Sequence, residues 1–355
     1  MPDNVQHDPS GGRDPSGGTA LSGGTDPSGA TSSATDRPDV VVVGAGIAGI
    51  ACARELRAAG RAVRVYDRGH RIGGRLAVRT VDGRPIDLGA SYFTAHDPAF
   101  VAVTDEWISR GLARKWTDTF HLATPEGLQG TTTGAPRYAA AKGLRSLAED
   151  LARALAVQHP HEVDEVGRSK QGPYADGEHA AAVVLAMPDP QALDLLSDEL
   201  AAERDVLRNR TWEPVLALVA RWPERAWPEI DGVFVNESPI LTFVADDGAR
   251  RGDGAPVLVA HADPVFSAGH LDDPDSAVLA MLAELAAVLG ISVEPDWAQV
   301  KRWGVARPAA ERPEPFHLGP AMVGLAGDGW HGRPRVEAAF LSGRALGREL
   351  ATRLR

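Results

Sequence analysis

Val40-Val41-Val42-Val43-Gly44-Ala45-Gly46-Ile47-Ala48-Gly49 decides the fold of this chain. Four consecutive β-branched residues read as a short strand buried on both faces, as in the middle of a parallel sheet. They run directly into Gly-x-Gly-x-x-Gly, after which Ile47 to Ala59 reads as a helix that Gly60 ends in a left-handed conformation. Ala62 to Asp67 is then a second strand with a carboxylate at its carboxyl end. Gly44 allows the tight turn, Gly46 lets backbone approach a pyrophosphate, and Gly49 lets the helix pack closely on the strand. The helix start at Ile47 and Ala48 offers unpaired N–H groups and a partial positive charge to phosphates. Asp67 is placed to accept hydrogen bonds from an adenosine ribose. The glycine pattern alone also fits a turn in some other α/β unit. Strand, helix, strand and terminal acid together read as a dinucleotide-binding unit.

The remainder of the chain is consistent with a globular protein of more than one core. Its 355 residues exceed a typical single core, and a hydrophobic content of 43% is ordinary. A net charge of −11 argues against a general nucleic-acid or anionic-membrane binder. Cys52 is the only cysteine, so no internal disulfide is possible, and its place in the first helix suggests packing. The longest apolar run, Val40 to Ala53, is too short to span a bilayer, and no export signal opens the chain; a soluble cytoplasmic protein is expected. Neither a metal-ligand spacing nor a nucleophile motif is evident.

Residues 1–37 repeat Asp-Pro-Ser-Gly with almost no apolar surface and read as a disordered tail. Leu144, Leu147, Leu151 and Leu155 predict a helix over 138–157. His161 to Val166 and Ala180 to Met187 predict strands joined across an Asp176-Gly177 turn. Short β-like runs follow at Val215–Ala220, Val233–Asn236, Ile240–Ala245 and Val257–Ala262, then a helix over Ser276–Leu289. The α/β character returns with a strand from Met322 to Ala326, Gly327-Asp328-Gly329, and a helix beginning at Pro334.

Two further stretches carry chemistry. Arg68 to Arg75, with Gly73-Gly74, follows the ribose-binding acid; paired glycines let backbone pass close to a cofactor, and Arg75 can offer planar donors to a pyrophosphate. Asp87-Leu88-Gly89-Ala90-Ser91-Tyr92-Phe93 comes next. With Gly89 to Pro98, Gly327 to Trp330 and Pro334-Arg335-Val336-Glu337, these motifs make residues 38 to about 352 resemble the renalase-type branch of the flavin-dependent amine oxidase superfamily. Bacterial members of that branch usually carry Gln in place of Ser91 and Arg in place of His96.

The resemblance implies an α/β fold with non-covalent FAD in a Rossmann-like, glutathione-reductase-type domain and a second, mixed-sheet substrate domain. The FAD-binding domain would comprise 38–95, 138–200 and 298–355; the substrate domain, 96–137 and 201–297. By the same resemblance Ala90, Ser91 and Tyr92 would run beneath the flavin ring. Gly327 and Asp328 would hold its ribityl chain and the second half of the pyrophosphate, Val336 and Glu337 would offer backbone donors to its pyrimidine end with Arg335 beside them, and Val163 would line the cofactor. Tyr92, Phe93 and His261 would place the electron donor; Asn236, Ser238 and Trp303 are weaker candidates. The implied reaction takes a hydride onto flavin N5 from a small-molecule substrate, a 2- or 6-dihydro NAD(P) isomer, with O2 becoming H2O2. An amine oxidase or desaturase of a hydrophobic metabolite shares these flavin motifs, and a flavin-holding module without turnover is a more distant alternative.

Overall fold

The four valines form the strand Val40–Val43, and alternate side chains enter different cores: Val40 and Val42 on one face of the sheet, Val41 and Val43 on the other. The computed structural model describes residues 37–355. Val40–Val43 lies within a six-stranded sheet ordered 317–318, 323–325, 182–185, 40–43, 63–66, 157–158, parallel except for the hairpin-like pairing of its first two strands. Helices Ile47–Ala58, Pro98–Ser109, Arg145–Ala152 and Val336–Arg353 contribute to the core on one face. The other face packs on the helices of residues 189–207 and on a small three-stranded sheet.

A seven-stranded sheet is built from 297–308, 212–221, 257–262, 241–246, 232–235, 114–124 and 127–139, in that spatial order. One of its faces packs on the helix Val278–Leu289. The opposite face packs on the two-stranded hairpin of 78–87 and on Leu88, through Val219, Val257 and Val259. The fold is therefore mixed α/β, a Rossmann-like layer followed by a further mixed sheet. No helix among the described residues is long and apolar enough to cross a membrane.

Several expectations need correction. The helix expected over 138–157 is only Arg145–Ala152; Tyr138 and Ala139 end a strand, held extended by the bridge of Tyr138 to Phe93. Residues 161–165 are not a strand, and the Asp176-Gly177 turn joins Gly172–Ala175 to Glu178–His179. Pro334 precedes the last helix rather than starting it, because Arg335 is extended and caps it. The boundary expected at 298 falls inside a strand, and Trp297–Pro308 joins the seven-stranded sheet through its neighbour 212–221. The helix Pro98–Ser109, expected with the substrate domain, instead buries Phe100 and Trp107 in the first core. The expectation for the tail of residues 1–37 lies, Arg37 apart, outside the described residues.

Candidate functional site

The glycines of the first turn are fixed by close contacts. A Cβ on Gly44, whose φ is +105°, would lie 2.6 Å from the Ala186 carbonyl oxygen, and one on Gly49 would lie 1.9 Å from that of Gly44. Gly46 differs: a Cβ there would touch nothing within 4 Å, so this backbone faces open space in front of the helix start at Ile47 and Ala48. Gly74 lies opposite, its own Cβ position 3.5 Å from Gly46 Cα, and Gly73 donates its N–H to the Ala45 carbonyl at 2.9 Å. The two glycine turns thus meet around one opening.

Asp67 stands at the edge of that opening with both oxygens oriented by backbone. Oδ2 accepts from Ala45 N at 2.6 Å and Oδ1 from Gly69 N at 2.8 Å, and each keeps a second lone pair. Arg68 is exposed beside it, while Val163 is buried in the core that includes Tyr66. Arg75 behaves otherwise than expected. Its guanidinium forms a two-pronged ion pair with Asp328, at 2.8 and 2.6 Å, and donates to the Ala306 carbonyl at 2.9 Å. It ties two distant motifs together, and its charge already has a partner. Gly327 N donates to Ser342 Oγ at 3.1 Å. Val336 opens the last helix and Arg335 is exposed; the Glu337 carboxylate turns back to accept from His96 N at 2.6 Å and Asp97 N at 2.7 Å.

From this cradle the chain passes through Ala90, half-buried, to Ser91, whose sealed Oγ has no hydrogen-bond partner among the described residues. Tyr92 and Phe93 then point to different places, as alternate residues of an extended chain do. Phe93 is buried in the first core against Phe100, Trp107 and Tyr138. Tyr92 joins an aromatic group with Trp116, Phe120, Phe234 and Phe243 on the seven-stranded sheet, its ring 5.3 Å from Phe120 and 6.0 Å from Phe243. His261 pairs with Phe243 across the sheet, their rings 5.9 Å apart, so the histidine belongs to the same face. Its Nε2 is sealed without a partner among the described residues, as is Trp116 Nε1. Burial, with Arg250 and Arg307 adding to it, pushes the His261 imidazole down to about 4, so it is neutral at physiological pH.

Trp303 borders this face, donating Nε1–H to the Leu88 carbonyl at 2.7 Å. Ser238 does not reach it: the hydroxyl donates to Glu284 of the helix Val278–Leu289 and accepts from Ile240 N and Leu241 N, while Asn236 is exposed. Cys52 is fully buried and its thiol is raised far above the ordinary range, so it stays protonated.

The sequence did not single out two features. Arg137, within Ala135-Pro136-Arg137-Tyr138, packs its guanidinium 3.9 Å over the Phe120 ring. A buried ionic cluster of Asp87, Asp247, Arg250 and Arg251 clamps the Leu88–Tyr92 stretch: Arg250 donates to the Ser91 carbonyl at 2.9 Å and Arg251 to Asp87 at 2.8 Å. The doubled arginine after Asp246-Asp247 was the available signal, four charges in a run between two apolar strands.

The residues fit FAD. Open backbone at Gly46 and Gly74, a helix N-terminus, an oriented carboxylate at Asp67 and an orphaned Ser91 hydroxyl are the donors and acceptors a dinucleotide with a polar ring edge requires. Comparison with known proteins agrees. Residues 42–107 match the model of an NAD(P)-binding Rossmann-like domain, and residues 110–349 that of flavin containing amine oxidoreductase. Putrescine oxidase of Kocuria rosea is 40% identical over 97 residues, 27% of this chain and 20% of that protein. (S)-6-Hydroxynicotine oxidase of Paenarthrobacter nicotinovorans is 34% identical over 92 residues, 24% of this chain and 22% of that one. The matched stretches thus span about a fifth of these curated relatives. A solved putrescine oxidase bound to putrescine superposes with a TM-score of 0.71 over 90% of this chain and 99% of that one, at 15% identity, a likeness of fold alone. With more than half its length matched by that one model, the chain belongs to the flavin containing amine oxidoreductase family, and its cofactor is FAD.

Proposed function

We propose that this protein is a renalase-like oxidase, removing a hydride from a dihydronicotinamide dinucleotide reduced at the 2 or 6 position, with O2 as final acceptor. The balance is RH + O2 + H⁺ → R⁺ + H2O2, where R⁺ is oxidised NAD or NADP. The six-stranded layer is the FAD-binding part and the seven-stranded sheet the substrate part. Gly44, Gly46, Gly49 and Gly74 would cradle the pyrophosphate, Asp67 the adenosine ribose, and Gly327 and Asp328 the ribityl side. When bound, FAD supplies a two-electron acceptor. Tyr92 and His261 would hold the donor, and the aromatic group would exclude water from it.

The observation that carries this reading is the state of His261. An alkylammonium substrate must lose a proton before it can give up a hydride, and an imidazole held at about 4 is a poor base for that task. Arg250 and Arg307, the charged groups that lower it further, are each ion-paired, to Asp247 and to Glu213, and no carboxylate acts on the imidazole to raise its basicity. An electron-rich dihydropyridine needs no base, and a dinucleotide brings negative charge. The motif run from Gly89 to Pro98 and the Pro334–Glu337 run further support the renalase-like assignment. The amine oxidase reading, favoured by the aromatic face and by the similarity to putrescine oxidase, is the competitor.

Rapid mixing separates the two. Holoenzyme is mixed anaerobically with 2-, 4- and 6-dihydro NADH and with putrescine while flavin absorbance is followed. The 2- or 6-dihydro isomers are expected to bleach the flavin fastest, because a site shaped for one ring position misplaces the others. Rapid bleaching by putrescine alone would transfer the assignment to amine oxidation.

A further inference from the structure

Among the described residues, four arginines are buried, and three of them have a carboxylate partner. Arg250 pairs with Asp247, Arg251 with Asp87 and Asp247, and Arg312 with Asp189. The fourth is Arg137, 8% exposed, with no carboxylate within ion-pair distance among the described residues. Its one hydrogen bond runs from Nη1 to the Asp118 carbonyl at 2.7 Å, which leaves the Nε and Nη2 edge without a partner there.

The location of this unpaired cation is specific. Arg137 lies on the strand Gly127–Ala139, opposite Thr117, where the register to the neighbouring strand shifts on both sides. Such irregularities re-aim side chains. The guanidinium lies 3.9 Å over Phe120, 5.8 Å from the Tyr92 ring and 6.0 Å from Phe234. These are the aromatics that surround Phe243, which in turn neighbours His261. Aromatic faces attract a cation, and the free Nε and Nη2 of Arg137 are not among the side-chain atoms sealed from solvent, so this edge is open to a ligand. A guanidinium edge held in this way against an aromatic face can be completed by a ligand oxyanion.

We propose that Arg137 is a specificity-determining residue that binds an oxyanion of the substrate, a phosphate or a carboxylate, against the aromatic face of Tyr92 and Phe120. The planar fork of the guanidinium suits two-pronged contact with either group. This inference rests on that face being the substrate side, as proposed above, and not on the identity of the hydride donor. A dinucleotide would supply the oxyanion as pyrophosphate; a smaller organic acid would supply it as carboxylate.

The test uses holoenzyme and reads binding instead of turnover. Benzoate, inorganic pyrophosphate and benzylamine are each titrated while the flavin difference spectrum is recorded, for wild type, Arg137→Met and Arg137→Lys. Wild type should bind at least one of the two anions in preference to benzylamine. Arg137→Met should weaken that anion ten-fold or more, with Arg137→Lys between. FAD content should be unchanged and the melting temperature little changed, since the substitution removes a single hydrogen bond, to the Asp118 carbonyl; a purely structural arginine would lower the melting temperature without weakening the anion. Dependence on Arg137 for benzoate alone identifies a carboxylate substrate, and for pyrophosphate alone a phosphorylated one. Equal anion affinity in wild type and Arg137→Met, or preference of wild type for benzylamine, overturns the proposal. Should Arg137→Met not fold, Arg137→Lys decides, an affinity equal to wild type for both anions being the overturning result. If dihydronicotinamides fail to bleach the flavin but anion binding still depends on Arg137, the donor assignment falls and this one stands.

Discussion

His261 shows how one residue takes its chemistry from neighbours the chain supplies far away in sequence. Its imidazole is sealed at Nε2, beside Phe243 and in the field of Arg250 and Arg307. The unfolded side chain takes up a proton near 6.5 and the folded one near 4. Above pH 6.5 neither state is protonated and the residue contributes nothing to the pH dependence of stability. Between 6.5 and 4 only the unfolded chain gains the proton, so stability falls as pH falls, by at most about 3 kcal/mol, and the loss levels off below 4. His261→Asn should remove this component. Urea midpoints at pH 7 and pH 4.5 are expected to drop further in wild type than in the variant; equal drops would mean that the imidazole is protonated in the folded protein. The histidine itself was visible as the polar end of an aliphatic strand. Its partners were not, because Phe243 reaches it only through strand pairing, and Arg250 and Arg307 come from other elements.

Among elements, the crossing of the first and last helices underlies the turn proposed to cradle the cofactor. The helix Ile47–Ala58 follows that turn, and Val336–Arg353 lies so close against it that a Cβ on Gly343 would sit 1.9 Å from the Ala48 carbonyl oxygen. Neither partner is a flexible side-chain end, so the added methyl forces the backbones apart. Gly343→Ala is expected to cost about 1–3 kcal/mol by overpacking, and to lower FAD occupancy, because the displaced backbone is that of Ala48 itself. Thermal melting and the ratio of flavin to protein absorbance measure both effects; an unaltered occupancy would separate the crossing from the cradle. The first βαβ unit and the closing strand and helix were legible because local pattern and local structure coincide there. The helix Pro98–Ser109 has a clear local start signal, Asp97 accepting from Ala99 N with Pro98 at the first helical position. The strands 114–124 and 127–139 are rich in threonine and glycine, and most of 127–139 stays outside the core, so no apolar pattern marked it. Arg75 and Asp328 were each legible as cofactor residues, but their mutual ion pair, spanning 253 positions, has no local signature.

For the whole molecule, the decisive feature is the buried ionic cluster that joins the Rossmann-like layer to the seven-stranded sheet. Asp247 accepts from Arg250, Arg251 and Arg84; Arg250 reaches the Ser91 carbonyl, and Arg251 reaches Asp87 and the Ala140 carbonyl. Asp87 in turn accepts from Leu144 N at 2.8 Å. One carboxylate thus organises three arginines, of which Arg250 holds the Ser91 carbonyl to the helix Asp247–Arg251. Replacing that carboxylate by the isosteric amide keeps the packing and removes the charge, which among the described residues leaves Arg250 buried with no carboxylate within ion-pair distance and Arg251 with Asp87 alone. Breaking a buried pair in this way typically costs about 3–5 kcal/mol. In wild type, loss of FAD and unfolding of both cores are expected to occur in one transition, because the clamp couples them. In Asp247→Asn the Leu88–Tyr92 stretch, proposed to face the flavin, is released first: flavin fluorescence should rise at a lower urea concentration than the tryptophan signal, which reports Trp107 in the first core and Trp222 and Trp227 in the second. Coincident transitions at the wild-type midpoint would mean that the cluster neither stabilises the fold nor positions the stretch that meets the cofactor.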